Sequence, residues 1–234
     1  MASFFRERWN KEGPGKPAPS GGIAGYFYQI GIFFWKFAKM NILFLLASLP
    51  LITLPVALTA LNRVCIVLVR DRNVLAWEEF RDEFKSSFKK GLLLGLIVAV
   101  WVFAAYYLLS LGLTNWDNPF GVVFMAAGAV AGAFMLILAA YAFVLLAALE
   151  LPLRHILGNA RALMFLGRKW TLAIFALLLS VAVLLWLFPL VTVIALLTAG
   201  GALVQYTVCA FVNEPMQKWI IGPYERNAKG ENTD

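Results

Sequence analysis

The chain has 234 residues, 62% of them hydrophobic and only 14% charged, with a mean hydropathy of +0.78. A water-soluble domain carries about a quarter charged residues, so this chain cannot clothe a solvated surface and a soluble fold is excluded. The net charge of +7 comes from Lys and Arg set beside apolar runs. That is the pattern of bases held at the cytoplasmic face near anionic lipid, not of a nucleic-acid binder.

The sequence divides into a polar N-terminal tail (1–22), a single membrane domain (23–222) and a polar C-terminal tail (223–234). Within the first, GPGKPAPSGG reads as a flexible tether, and no cleavable signal peptide is visible. Residues 42–61 then form a charge-free stretch of single-span length, interrupted by Pro50 and Pro55. If it crosses once, the basic N-terminus (Arg6, Arg8, Lys11, Lys16) lies outside, against the usual bias. If it turns at Pro50–Pro55, two short helices form a re-entrant hairpin, with Lys36 and Lys39 near the inner interface. The expected fold is therefore an all-α polytopic bundle of six membrane segments, the first pair a short hairpin, or of five spans.

Next comes an amphipathic stretch. Trp77, Phe80, Phe84 and Phe88 recur at helical spacing and place four aromatic rings on one stripe. Glu78, Glu79, Arg81, Asp82, Glu83, Lys85, Lys89 and Lys90 occupy the rest, acids early and bases late, as the helix dipole favours. Such a helix lies in the headgroup layer, packs under the bundle or docks a partner. Trp77, Phe80, Phe84, Phe88, Lys85 and Lys89 are the candidate docking residues.

Four apolar runs follow at 91–113, 120–149, 171–188 and 190–211, each about the length that spans a bilayer core. Pro119 and Pro189 punctuate them. The basic loops (Arg70, Arg72, Arg81, Lys85, Lys89, Lys90; Arg154, Arg161, Arg168, Lys169; Lys218, Arg226, Lys229) alternate with turns that hold no base. This orients the chain with both termini cytoplasmic in the hairpin reading.

Chemistry is sparse. Asp117, in an outer turn, is the only charge in residues 91–149, and residues 171–211 have none. Ion-coupled transport normally needs such groups at depth. Ser110, Thr192, Thr198, Gln205 and Tyr206 are polar groups within spans, and Gln205 with Tyr206 is the candidate intramembrane polar path. Gly91-x-x-x-Gly95 and Gly128-x-x-x-Gly132 allow close helix approach within the bundle. Cys65 and Cys209 read as reduced packing residues, and His155 has no partner for a metal site. No phosphate loop, zinc-protease helix or nucleophile elbow occurs. The sequence therefore offers no catalytic, metal or cofactor-binding residues, and an enzyme is not expected.

One stretch carries a resemblance. Asn41, then Ser48-Leu49-Pro50, Thr59-Ala60-Leu61, Arg70, and the Phe- and Lys-rich run 79–90 resemble the YesL-like family of bacterial membrane proteins, a family of unknown function. The pattern departs at the turn, where Pro55-Val56 replaces a Gly-Pro pair. The resemblance implies a bacterial cell membrane location and an accessory role beside carbohydrate ABC importers. Residues 151–170 lack the pattern by which importer permeases engage their ATPase. The expected function is a non-enzymatic accessory or regulatory subunit of such an importer, with lipid, importer subunits or further copies of itself as partners. The alternatives are a small stand-alone transporter or channel for an uncharged solute, and a structural, lipid-organising protein.

Overall fold

The structure, a computed structural model, describes residues 22–71 and 75–224, with side chains at 31, 33–70 and 75–224. The expected tether, Arg72 and the tail residues Arg226 and Lys229 lie outside the described residues. Every described element is helical. Among the described residues, five stretches are long and apolar enough to cross a membrane: Leu51–Arg70, Phe88–Thr114, Pro119–Ala148, Arg168–Leu187 and Pro189–Tyr224. The chain is a polytopic helical membrane protein. By compactness it divides after Trp35. The described part of the first unit is the opening of helix α1 (Gly22–Ser48), where the Phe34 and Trp35 rings meet edge to face at 6.0 Å.

The second unit begins at Lys36. Helix α1 stops at Ser48 because Pro50 has no N–H and disfavours a helical Leu49. A 3-10 turn, Leu51–Thr53, leads into α2 (Leu54–Asp71). Water is absent at membrane depth, so the carbonyls freed at this break need protein donors. Ser48 Oγ donates to the Leu45 carbonyl (3.0 Å), and the Thr53 hydroxyl lies 2.7 Å from both the Ala47 and Pro50 carbonyls.

Two sets of contacts with the C-terminal helix fix the path. Along α1, Phe37 meets Tyr206 and Asn41 meets Leu196, Leu197 and Ala202, an antiparallel course. Along α2, Asn62 meets Gln205 and Cys209, and Arg70 meets Asn213, a parallel course. From Lys36 on, α1 and α2 are therefore a helical hairpin. Its tip residues Leu51, Leu54 and Pro55 share a cavity with Val98 and Val102, Leu136 and Ala140, and Leu178, all near the middle of their own helices. The hairpin turns half-way along its neighbours, so residues 42–61 do not make the single crossing that was one of the two readings.

Helix α3 (Ala76–Ser86) follows, then α4 (Phe88–Thr114) and α5 (Pro119–Ala148). Pro119 sits in the first turn of α5, and the Asn118 side chain caps the Phe120 N–H at 3.2 Å. Both small-residue repeats pack inside the chain. A Cβ on Gly95 would collide with the Pro55 ring, and one on Gly128 would lie 2.9 Å from the Ala105 carbonyl. Residues 151–170, expected as a loop, contain helix α6 (Leu153–Leu166), which buries Ile156, Ala160, Leu163 and Met164. These positions follow the i, i+4, i+7, i+8 pattern of one helical face. Helix α7 (Arg168–Leu187) and α8 (Pro189–Ala195) meet at Pro189. A π-helical turn, Leu196–Gly200, joins α8 to α9 (Gly201–Met216), and a second, Gln217–Ile221, follows.

The core is α2: Val56, Ala57, Thr59, Ala60, Leu61, Asn62, Val64, Cys65, Ile66 and Leu68 are all buried. Gly128→Leu should part α4 from α5 and destabilise the detergent-solubilised protein by about 1–3 kcal/mol. Gly132→Ala should be near neutral, because its Cβ would meet only Ala105 Cβ at 3.6 Å. Thermal melts of the two variants check this; equal losses would refute the packing role of Gly128.

Candidate functional site

Buried polar groups gather where the hairpin touches the C-terminal helix. Asn41 Nδ2 donates to the Leu196 and Leu197 carbonyls at 2.9 and 2.8 Å, and its Oδ1 accepts from the Ala202 N–H at 3.0 Å. The amide thus bridges Leu197 C=O and Ala202 N–H in place of a rung of the helix. Insertion of a side chain into the ladder is a recognised cause of a local wide turn, and the π turn lies at this point. Gly201 is required beside it, since a Cβ there would stand 2.6 Å from Asn41 Oδ1.

A helical turn or two further along α9, Gln205 donates to Asn62 Oδ1 in a short hydrogen bond, and the Cys209 thiol lies 3.4 Å from the same oxygen. Asn62 is fully buried, and its Nδ2 has no hydrogen-bond partner. Buried donors without partners are rare and costly. Gln205 also lines the hairpin-tip cavity, a space of about 440 Å³ whose walls are otherwise apolar. Tyr206, its companion in the expected polar path, does not line that cavity. It is buried against Phe37, edge to face at 5.0 Å.

A second, polar cleft of about 430 Å³ opens at the end of the bundle where α3 meets the close of α5. Arg63, Glu83, Ser86, Ser87, Lys90 and Glu150 line it. Arg63 pairs with Glu79 at 3.1 Å and donates to the Ala147 carbonyl at 3.3 Å. Lys90 donates to the Leu151 carbonyl at 3.3 Å. Glu83 accepts a short hydrogen bond from Ser87. Burial pushes the Glu83 carboxyl above its ordinary range, with the charges of Glu79 and Glu150 adding to the rise, while the Ser87 bond and the Arg63 charge oppose it. Arg63 and Glu150 were not singled out from sequence; Arg63 as a charge following an apolar run was the available signal.

The aromatic stripe is real but divided. Phe80 and Phe84 stack at 6.2 Å, and Phe84 meets Phe88 at 6.0 Å. The helix, however, breaks at Ser87, so Phe88 belongs to α4. Phe80 is only 5% exposed and packs inward, whereas Trp77 is 59% and Phe88 40% exposed. Lys85 and Lys89 are exposed too. An apolar groove of about 280 Å³ runs between Leu43, Leu46 and Ala47 of α1 and Trp77, Phe80 and Phe84 of α3.

The residues of the family-like pattern are assigned structural places. Asn41 locks the hairpin to the C-terminal helix; Ser48, Leu49 and Pro50 make the break. Thr59 donates to the Pro55 carbonyl at 2.9 Å, Ala60 and Leu61 are buried, and Arg70 donates to Asn213 at 3.1 Å. Among the described residues no three His, Cys, Asp or Glu come together as a metal site.

In comparison with known proteins, residues 37–108 match the family described as a protein of unknown function, DUF624. The match covers the hairpin, α3 and most of α4, 72 of 234 residues. No curated protein and no solved structure matches the chain.

Two outcomes are expected. Asn41→Leu removes three interhelical bonds at the ~0.6 kcal/mol typical within a bilayer, a loss of about 2 kcal/mol, readable as a lower melting temperature. For Glu83, a folded-state affinity for the proton above that of the unfolded chain makes stability greatest at low pH and lost as pH rises through the raised value. Glu83→Gln should therefore melt higher than the parent at pH 8 and no higher at pH 4. An unchanged pH profile would refute the burial argument.

Proposed function

We propose that the chain is a non-enzymatic accessory subunit of a bacterial membrane assembly, associated with a carbohydrate ABC importer, and that it docks through the exposed surface of α3 and the start of α4. The observation that carries this reading is the uncovered aromatic and basic surface of Trp77, Lys85, Phe88 and Lys89 beside the apolar groove. Amphipathic faces laid beside hydrophobic grooves are a common mode of helix recognition. The importer as the partner rests on the resemblance in residues 41–90. The basic end of the bundle, with Lys90, Arg154, Arg161, Arg168, Lys169 and Lys218, then faces the cytoplasm, where an importer's ATPase resides.

A second reading is a stand-alone carrier or channel for an uncharged solute. It is favoured by the mid-length cavity, where Gln205 connects to the unsatisfied amide of Asn62.

Affinity purification in mild detergent from the native host tests the first reading. Importer subunits should co-purify with the wild type and be lost with the Trp77→Ala, Lys85→Glu, Lys89→Glu triple variant. The buried Phe80 is the control for fold: Phe80→Ala should cost about 3–5 kcal/mol of stability. Wild-type protein recovered alone would remove the importer reading. Solute flux in liposomes that disappears with Gln205→Leu would then establish the second.

A further inference from the structure

The polar cleft between α3 and α5 contains charges that its own protein leaves apart. Lys90 and Glu150 both line it, yet they do not pair with each other. Among the described residues the Lys90 ammonium reaches only the Leu151 carbonyl, and Glu150 makes no ion pair. Arg63 adds a second cation and Glu83 a second carboxyl. The last turn of α5 ends in the wall, and the carbonyls of a helix C-terminus add partial negative charge. Both cations lean on the end of α5, Arg63 on the Ala147 carbonyl and Lys90 on the Leu151 carbonyl beside Glu150, so cations and carboxylates interleave around the cleft.

Its depth is set by the helices around it. On α4, Lys89 and Lys90 are exposed and Leu93, one turn deeper, is an exposed apolar side chain. The cleft therefore lies at the boundary between the apolar band and water, the depth of lipid headgroups. Its volume falls within the range of small-ligand pockets.

We propose that this cleft is a binding site for the headgroup of a zwitterionic phospholipid bearing a primary ammonium. The phosphodiester sits against Lys90 and Arg63, and the ammonium donates to Glu150. Charge-assisted hydrogen bonds of this kind are directional, so the site selects among headgroups by their N–H groups. A trimethylated ammonium carries the same charge but has no hydrogen to donate.

Native mass spectrometry of the full-length protein from mixed-lipid nanodiscs tests this, with phosphatidylethanolamine, its mono-, di- and trimethylated forms, and phosphatidylglycerol as probes. Retention should fall along the methylation series, by about tenfold from first to last, a factor equivalent to 1.4 kcal/mol. Phosphatidylglycerol, which lacks the ammonium, should bind no better than the trimethylated lipid. Glu150→Gln should flatten the series without lowering the melting temperature. Equal retention across the series in the wild type overturns the proposal, whatever the variant does. Retention that is graded but displaced by soluble phosphoethanolamine at comparable concentration would assign the site to a free zwitterion and overturn the lipid assignment.

Discussion

Among the contacts that tie the hairpin to the C-terminal helix, one side chain enters that helix's own ladder. Asn41 replaces a rung of the C-terminal helix with its own amide, contributing two donors and one acceptor where the peptide ladder opens. Three consequences follow from that bridge. The C-terminal helix widens into a π turn, Gly201 is confined to glycine, and α1 is anchored 155 residues away in the chain. In water an amide exchanged between backbone and solvent would contribute little. At membrane depth no solvent competes, and an opened rung without Asn41 would leave polar groups facing hydrocarbon.

The same constraint explains why α2 is the most buried helix although it belongs to the hairpin that turns half-way. A break in helical structure at mid-depth survives only where protein surrounds it or a cavity adjoins it. Here Thr53 and Ser48 satisfy carbonyls at the break, Thr59 returns a bond to Pro55, and Gly91 and Gly95 let α4 come against α2. The tip itself is less covered, with Leu51 82% exposed, and the cavity beneath it opens at that point. Tight packing over the body of the hairpin and a space at its tip are two results of one geometry.

Much of this architecture was legible in the sequence because it rests on local signals. Length of apolar run gave the spans, Pro119 and Pro189 marked the turns, and Pro50 with Pro55 marked the hairpin that one of the two readings required. What escaped was of two kinds. Some elements alternate too finely to stand out: residues 151–170 bury a single helical face within a basic, Gly-containing stretch and so resembled a loop. The rest depends on partners far away in the chain. Nothing near Asn41 reveals that its amide ends at Leu197, and nothing near Arg63 reveals the close of α5. The aromatic stripe shows both limits at once. Its period was correct, but the bend at Ser87 and the burial of Phe80 are decided by packing against other helices.

Helix α3 is the element on which the surface properties converge. One face carries Phe80 into the core, a second presents Trp77 and Lys85 beside the apolar groove, and a third delivers Glu83 to the polar cleft. These faces cannot move independently on an eleven-residue helix. Packing against α2 holds it, and to this the ion pair of Glu79 with Arg63 adds a partly exposed contact, of the kind that contributes under about 1 kcal/mol. A ligand that neutralised the cleft would bear directly on the carboxyl that burial already strains, and so on the angle at which the aromatic face is shown. If the cleft takes a lipid headgroup and the groove a partner, as proposed, both would bear on this one short helix.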